Sequence, residues 1–269
     1  MSNKTTHVNN AAFDGYEIFE SKQEVQKYRK LKVEDVQKNV HFIKRFFNEK
    51  ITVLEIGSGN SKFLYALEQH GILNRGYGIE MSKSRVDFAE EWKKDLKIDN
   101  VTNINSNFFD CSLEDFPDFD LVYCSDMAFQ LFDPIERGND IKYLEAVYEK
   151  MKSGAKILLE VEDSKNLFKT MTNDKVRVWQ EFDESDPWRY LLWDCEYENN
   201  DSWIKYNKTF IKRDLSEIFN SSIVLKNYSR EEAITMLQQN KFVNMQIFEY
   251  WQNEGDMEDD GYIIIGEKA

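Results

Sequence analysis

Hydrophobic and polar positions along this chain change period in blocks. Within 16–47, Val36, Val40, Ile43 and Phe47 recur at helical spacing among charged residues, which predicts an amphipathic helical stretch. The period then switches. Ile51-Thr-Val-Leu-Glu-Ile56 reads as a short strand, and a helix pattern follows through Phe63, Leu64 and Leu67 before stopping near Gly71. Gly76-Tyr-Gly-Ile-Glu80 reads as a second strand, and Ser82 as the N-cap of a helix through Trp92. Strands are predicted over 101–106, 120–125 and 156–161, with a helix over 135–151 between the last two. Strands alternating with helices imply βαβ units around a parallel sheet, and largely apolar strands imply that both of its faces are covered.

The alternation breaks after Asp163. Residues 179–212 carry Trp179, Phe182, Trp188, Tyr190, Trp193, Tyr197, Trp203, Tyr206 and Phe210, and Asn199-Asn-Asp-Ser202 reads as a hairpin turn between two β-like runs. This predicts an antiparallel β insertion lying over the sheet. Ser229 and Glu232 then match a capping box, ahead of a helix with Ala233, Met236 and Leu237 on one side. Strands over 245–251 and 262–267, joined by the acidic loop 253–260, predict a terminal antiparallel hairpin.

Composition narrows the classes. The 269 residues suit one large domain or a domain with an inserted piece. The formal charge of −14 argues against a protein that tracks nucleic-acid phosphates. No apolar run approaches the ~20 residues that span a bilayer. Residues 1–12 read as a disordered tail without the apolar core of a secretion signal. Cys111, Cys124 and Cys195 are widely spaced and predict free thiols in a reducing cytoplasm, not a disulfide framework or a metal site. His7 lies in the tail, and His41 and His70 on predicted helices, so neither a histidine base nor a histidine-rich metal site is expected.

The first strand carries the chemistry. It runs into Gly57-Ser-Gly59-Asn-Ser61, where glycines permit a sharp turn and close approach of a ligand to the backbone. A helix starts at once, so its free N–H groups face an anionic ligand group. The second strand ends in Glu80, a carboxylate placed to accept hydrogen bonds from a ribose diol. Lys62 stands where a dinucleotide loop has its third glycine, and there is no Walker loop. With the acid Glu55 two residues ahead of Gly57, the pattern resembles the class I S-adenosylmethionine-dependent methyltransferases, whose motif is [DE]xGxGxG. Ser61 departs from the last glycine. The pair Ser106-Asn107, the strand Phe119-Asp-Leu-Val, the turn Met151-Lys-Ser-Gly and the segments Phe242-Val-Asn-Met and Gly261-Tyr-Ile-Ile-Ile resemble further segments of that family, in order.

The resemblance implies a Rossmann-like α/β fold: a mostly parallel seven-stranded sheet with helices on both faces, a terminal antiparallel strand and the β insertion after strand 5. It implies a tail and helical lid over 1–50 and a methyltransferase domain over 51–269, with 179–212 covering the substrate. S-adenosyl-L-methionine would be the cofactor. Glu55, Gly57 and Gly59 would shape its methionine side, Glu80 would hold the ribose, Met81, Asn107 and Phe108 would meet the adenine, and Ser125 would line the junction with the acceptor. Asp126 and Tyr16 are the catalytic candidates. Glu160, Glu162 and Asp163 are further candidates for a base, and Phe19 and Tyr28 belong to the lid. Trp188 and Tyr190 are expected to bind the acceptor, with Asp183, Glu184, Asp186, Asp194 and Glu196 able to complete a box for a cation. The expected partner is a small polar metabolite bearing an amine or hydroxyl, and the arrangement looks like the glycine/sarcosine type of N-methyltransferase. The alternatives are an O-methyltransferase of sugar or surface-polysaccharide synthesis, RNA or protein methylation, and a methyltransferase-like protein that binds the nucleoside without turnover. Oligomeric state is left open.

Overall fold

Strand β1 (Ile51–Ile56) is buried throughout, and its two faces enter two different cores. Ile51 and Val53 join Val36, Val40 and Ile43 of α1 (Lys22–Ile43), Phe63 and Leu67 of α2 (Lys62–Gln69) and Phe88 and Trp92 of α3 (Lys83–Leu96). Leu54 and Ile56 face the other way. They meet Phe132 of α4 (Phe132–Ile135), Tyr143 and Val147 of α5 (Asn139–Glu149) and Leu237 of α6 (Arg230–Gln239) within the second core. In this computed structural model the described residues are 17, 19, 21–162, 175–182, 184, 186, 188–198, 203–249 and 261–269. The tail 1–12, Tyr16, Asp163, Asp183, the turn 199–202 and the loop 253–260 lie outside them.

The main sheet adds β2 (Leu73–Glu80), β3 (Val101–Asn105), β4 (Phe119–Cys124), β5 (Met151–Glu162), β10 (Phe242–Glu249) and β11 (Gly261–Lys268). The order is β10-β11-β5-β4-β1-β2-β3. The pairs from β3 to β5 are parallel, and β11 runs antiparallel to both β5 and β10. This is the expected seven-stranded α/β sheet with its antiparallel terminal strand. The chain order turns back at β1, which leaves a crevice at the carboxyl ends of β1 and β4.

The capping predictions hold. Ser82 accepts from Arg85 N at the start of α3, and Ser229 and Glu232 form a capping box on α6. The predicted helix 135–151 is instead α4 and α5, separated around Gly138 at φ +87°. The insertion is also wider than the aromatic run indicated. Strands β6 (Lys175–Glu181), β7 (Trp188–Glu198), β8 (Trp203–Lys212) and β9 (Ile218–Lys226) pair antiparallel in that order. Aromatic density marks the two central strands, whereas β9 carries Asn220, Ser221 and Ser222 in its middle.

A polar joint ties this second sheet to the first. Gln130 is fully buried and donates from Nε2 to the carbonyls of Glu162 and Lys226 at 3.1 and 2.9 Å. Asp140 accepts from Lys226 Nζ at 2.7 Å and from the Tyr228 hydroxyl at 2.5 Å. Burial pushes the Asp140 carboxyl up, but these two partners pull it further down, below the ordinary aspartate value. A depressed folded-state value stabilises the fold above the unfolded value and loses that contribution on acidification. Asp140→Asn is therefore expected to cost roughly 2 kcal/mol at neutral pH. The gap to wild type should close as pH falls below about 4, as read by denaturant titration at several pH values.

Candidate active site

The residues after β1 form a tight loop because their backbone enters the left-handed region at Gly57 (φ +72°) and Gly59 (φ +53°). A Cβ on Gly57 would lie 2.8 Å from Ala128 Cβ, so this glycine is demanded by packing against the loop after β4. Ser61 also takes a left-handed conformation, φ +58°, at the place of the motif's missing glycine. Its hydroxyl donates to Asn103 Oδ1 at 2.7 Å, and Asn103 Nδ2 bonds Tyr65 and Glu90. A conformation that costs an L-residue about 1 kcal/mol is thus held by a network reaching β3.

Glu80 closes the loop from the end of β2. Its two carboxylate oxygens accept from Gly59 N at 2.9 Å and Ser82 N at 2.8 Å, and each retains a further lone pair. Ser125, after β4, donates to the carbonyl of Gly57 at 2.8 Å. Asp126 and Met127 follow in consecutive left-handed conformations at φ +47° and +62°. Such strain persists where surrounding contacts impose it. Here Glu160 of β5 accepts from Asp126 N at 2.7 Å and also from the Tyr123 hydroxyl.

Glu55, Tyr123 and Glu160 point to the same sheet face near the carboxyl ends of β1, β4 and β5. There they line a cavity of about 440 Å³ roofed by Tyr28, Lys32, Asp35 and Val36 of α1. A smaller cavity of about 100 Å³ on the other face is lined by Glu80, Met81, Asn107 and Phe108, with Leu131 and Phe132 opposite. Gly57, Arg85, Ser125 and Asp126 line both and form the junction. Glu55 is 3% exposed, and its Oε2 has no hydrogen-bond partner among the described residues. Burial raises its carboxyl well above the ordinary glutamate value, Lys62 opposes the shift, and Glu160 and Glu80 add to it.

The structure thus brings Glu55, Gly57, Gly59, Glu80, Met81, Asn107, Phe108, Ser125, Asp126 and Trp188 around two connected cavities. The side-chain carbonyl of Asn107 accepts from Phe109 N at 3.0 Å and keeps a second lone pair. One expectation changes. Tyr190 is not among the residues lining the large cavity, whereas Trp188 and Leu191 are. The pairing of β7 with β8 slips between Trp188 and Tyr190, and that irregularity reverses the alternation. Tyr190 instead packs on Trp179 with centroids 5.9 Å apart. Of the acids expected around a cation, Asp186 lines the cavity, while Asp194 pairs with Asn207 on β8. Glu162 accepts from the Tyr206 hydroxyl in the joint between the sheets.

Four contributors were missed by sequence reasoning. Glu17 reaches in from ahead of α1, accepting from Tyr28 and Asn60 at 2.9 and 2.7 Å. Lys62, Arg85 and Lys208 line the large cavity. A signal existed for two of them. The first turns of α2 and α3 contain no acid and begin with Lys62 and Lys83, against the helix dipole. Cations placed there against local preference mark positions set by something other than helix stability. Among the described residues no cluster suited to a metal ion is found, and no helix is long and apolar enough to cross a membrane.

A methyltransferase-domain family profile matches residues 47–194, more than half of the chain. No curated protein sequence matches significantly. Among solved structures, an S-adenosylmethionine-dependent methyltransferase from Clostridium acetobutylicum is similar with a TM-score of 0.68 at 14% identity, covering 87% of this chain and 91% of that one. An S-adenosylmethionine-bound amino pentose methyltransferase from Micromonospora echinaspora, of calicheamicin biosynthesis, gives 0.66 at 11% identity over 94% and 98% of the two chains. A sugar N-methyltransferase from Streptoalloteichus gives 0.57 at 14% identity over 88% and 86%. The strand order, the glycine loop and the profile match agree, and the chain belongs to the methyltransferase-domain family, with the fold of the class I S-adenosylmethionine-dependent enzymes.

Proposed function

We propose that this enzyme moves a methyl group from S-adenosyl-L-methionine to an amine of a small polar metabolite, an amino sugar being the favoured class. The observation that carries the donor placement is the buried, unpartnered Oε2 of Glu55, a residue that lines the large cavity. A buried acceptor without a donor is costly, and the donor's α-ammonium supplies one. The adenine then lies between Met81 and Phe108, with the Asn107 side-chain amide at the ring edge. The ribose diol takes the remaining lone pairs of Glu80. The methionyl half crosses Gly57 and Ser125 into the large cavity.

The acceptor fills the space between α1 and the inserted sheet. Trp188, Leu191 and Phe210 form an apolar wall there, and Asp126, Glu160 and Asp186 supply negative charge. This setting suits an amine that becomes an ammonium on methylation. The nitrogen lone pair forms the new N–C bond, the C–S bond breaks with its electrons to sulfur, and the amine's proton leaves to water. Positioning supplies much of the rate of such an in-line displacement. Asp126, at the junction, is assigned to orienting the amine. The structural neighbours described as an amino pentose methyltransferase and a sugar N-methyltransferase support the class.

Incubation with donor and a panel of amino sugars and amino acids, read by mass spectrometry, tests the reading. The expected products are S-adenosylhomocysteine and an acceptor heavier by one methylene. Donor that stays unconsumed while bound would favour the non-catalytic alternative, and methylation of hydroxyl-only sugars would favour the O-methyltransferase. With the acceptor so found, Trp188→Ala is expected to lower kcat/KM by at least about tenfold, the scale of losing a buried aromatic anchor. Tyr190→Ala should stay near wild type, and both should bind S-adenosylhomocysteine normally by calorimetry.

A further inference from the structure

Arg85 reaches both halves of the donor path. It lines the large cavity and the small one. Its Nη1 lies 3.3 Å from where a Cβ on Gly59 would stand. It projects from the first turn of α3, which contains no acid, so the helix dipole opposes its charge. Burial opposes that charge too. Glu17, Glu80, Tyr28 and Asp126 together outweigh burial and raise the guanidinium above its usual value. Three acids from three separate segments therefore act electrostatically on a permanent cation that lines both cavities.

Methyl transfer changes the charge at that same junction. The donor's sulfur is a sulfonium, and the product's sulfur is a neutral thioether; the rest of the molecule is unchanged. Resting on the donor placement proposed above, we infer that Arg85 sets the enzyme's discrimination between donor and product, by competing with the sulfonium for Glu17, Glu80 and Asp126. Arg85 weakens the charged donor and leaves the neutral product untouched. The same contest favours turnover. Sulfur sheds its positive charge on the way to the transition state, so a neighbouring cation raises the bound donor more than the transition state.

Titration calorimetry with three ligands tests this without the acceptor. They are S-adenosylmethionine, S-adenosylhomocysteine and sinefungin, which carries an ammonium in place of the methylated sulfur. Arg85→Met removes the charge, Arg85→Gln removes it but keeps hydrogen bonding, and Arg85→Lys retains it. Relative to S-adenosylhomocysteine, both neutral variants are expected to bind the two cationic ligands about tenfold more tightly than wild type does, the scale of one partly screened charge pair. Arg85→Lys should keep the wild-type ratio. An unchanged ratio in the neutral variants overturns the inference, as does an equal shift for all three ligands, which would mark Arg85 as structural. Failure of wild type to bind any of the three would instead overturn the donor site itself.

Discussion

Glu80→Ala is expected to weaken S-adenosylhomocysteine binding by at least about 100-fold. The ribose diol would lose two hydrogen bonds to a buried carboxylate, each worth roughly 1.5–3 kcal/mol when the acceptor is charged. A second effect accompanies the first. The Glu80 carboxylate also receives the N–H groups of Gly59 and Ser82, so its loss frees the glycine loop and the start of α3 together. Glu80→Gln is expected to show a smaller loss, because it keeps one oxygen as acceptor for one of the two backbone N–H groups and removes the charge. Calorimetry on both variants, with thermal unfolding to establish that they fold, reads the result. Wild-type affinity in folded Glu80→Ala would remove the ribose from the end of β2.

Gly57→Val is expected to be the most destabilising single change at the site, by roughly 3 kcal/mol or more. The motif alone suggests that a side chain here would meet the ligand. The structure shows that it would meet the protein first, with Cβ 2.8 Å from Ala128 Cβ, in a backbone conformation at φ +72° that a branched residue resists. Gly71 provides the control. It has the same φ of +72°, yet nothing lies within 4 Å of its added Cβ. Gly71→Ala should therefore cost only the conformational strain, about 1 kcal/mol. Equal losses of stability in Gly57→Ala and Gly71→Ala on denaturant titration would show that the packing against Ala128 is not what requires the glycine.

Much of the proposed donor half was legible in one stretch of chain. Glu55 and Glu80 lie on two neighbouring strands and Gly57 and Gly59 in the loop that follows the first, and their spacing follows from the strand–turn–helix geometry that joins them. The proposed acceptor half was legible only in part. Glu17, Lys62 and Lys208 come from three separate segments, and their meeting with the expected Glu160 and Trp188 depends on how α1 and the inserted sheet lie over β1, β4 and β5. Tyr190 shows the limit sharply. Alternation places it beside Trp188, but a single slip in the pairing with β8 puts Leu191 there instead.

Sequence alone therefore determined the order and type of most elements, the capping of α3 and α6, the parallel sheet and the glycine loop. These depend on local period, on turn chemistry and on residues close in the chain. Only the tertiary structure decided which acids face the cavity, which aromatic side chains line it, that Ser61 is held by Asn103, and that Arg85 stands at the junction. A side chain's surroundings are set by strands and helices packed from distant parts of the chain, and no local pattern carries that information.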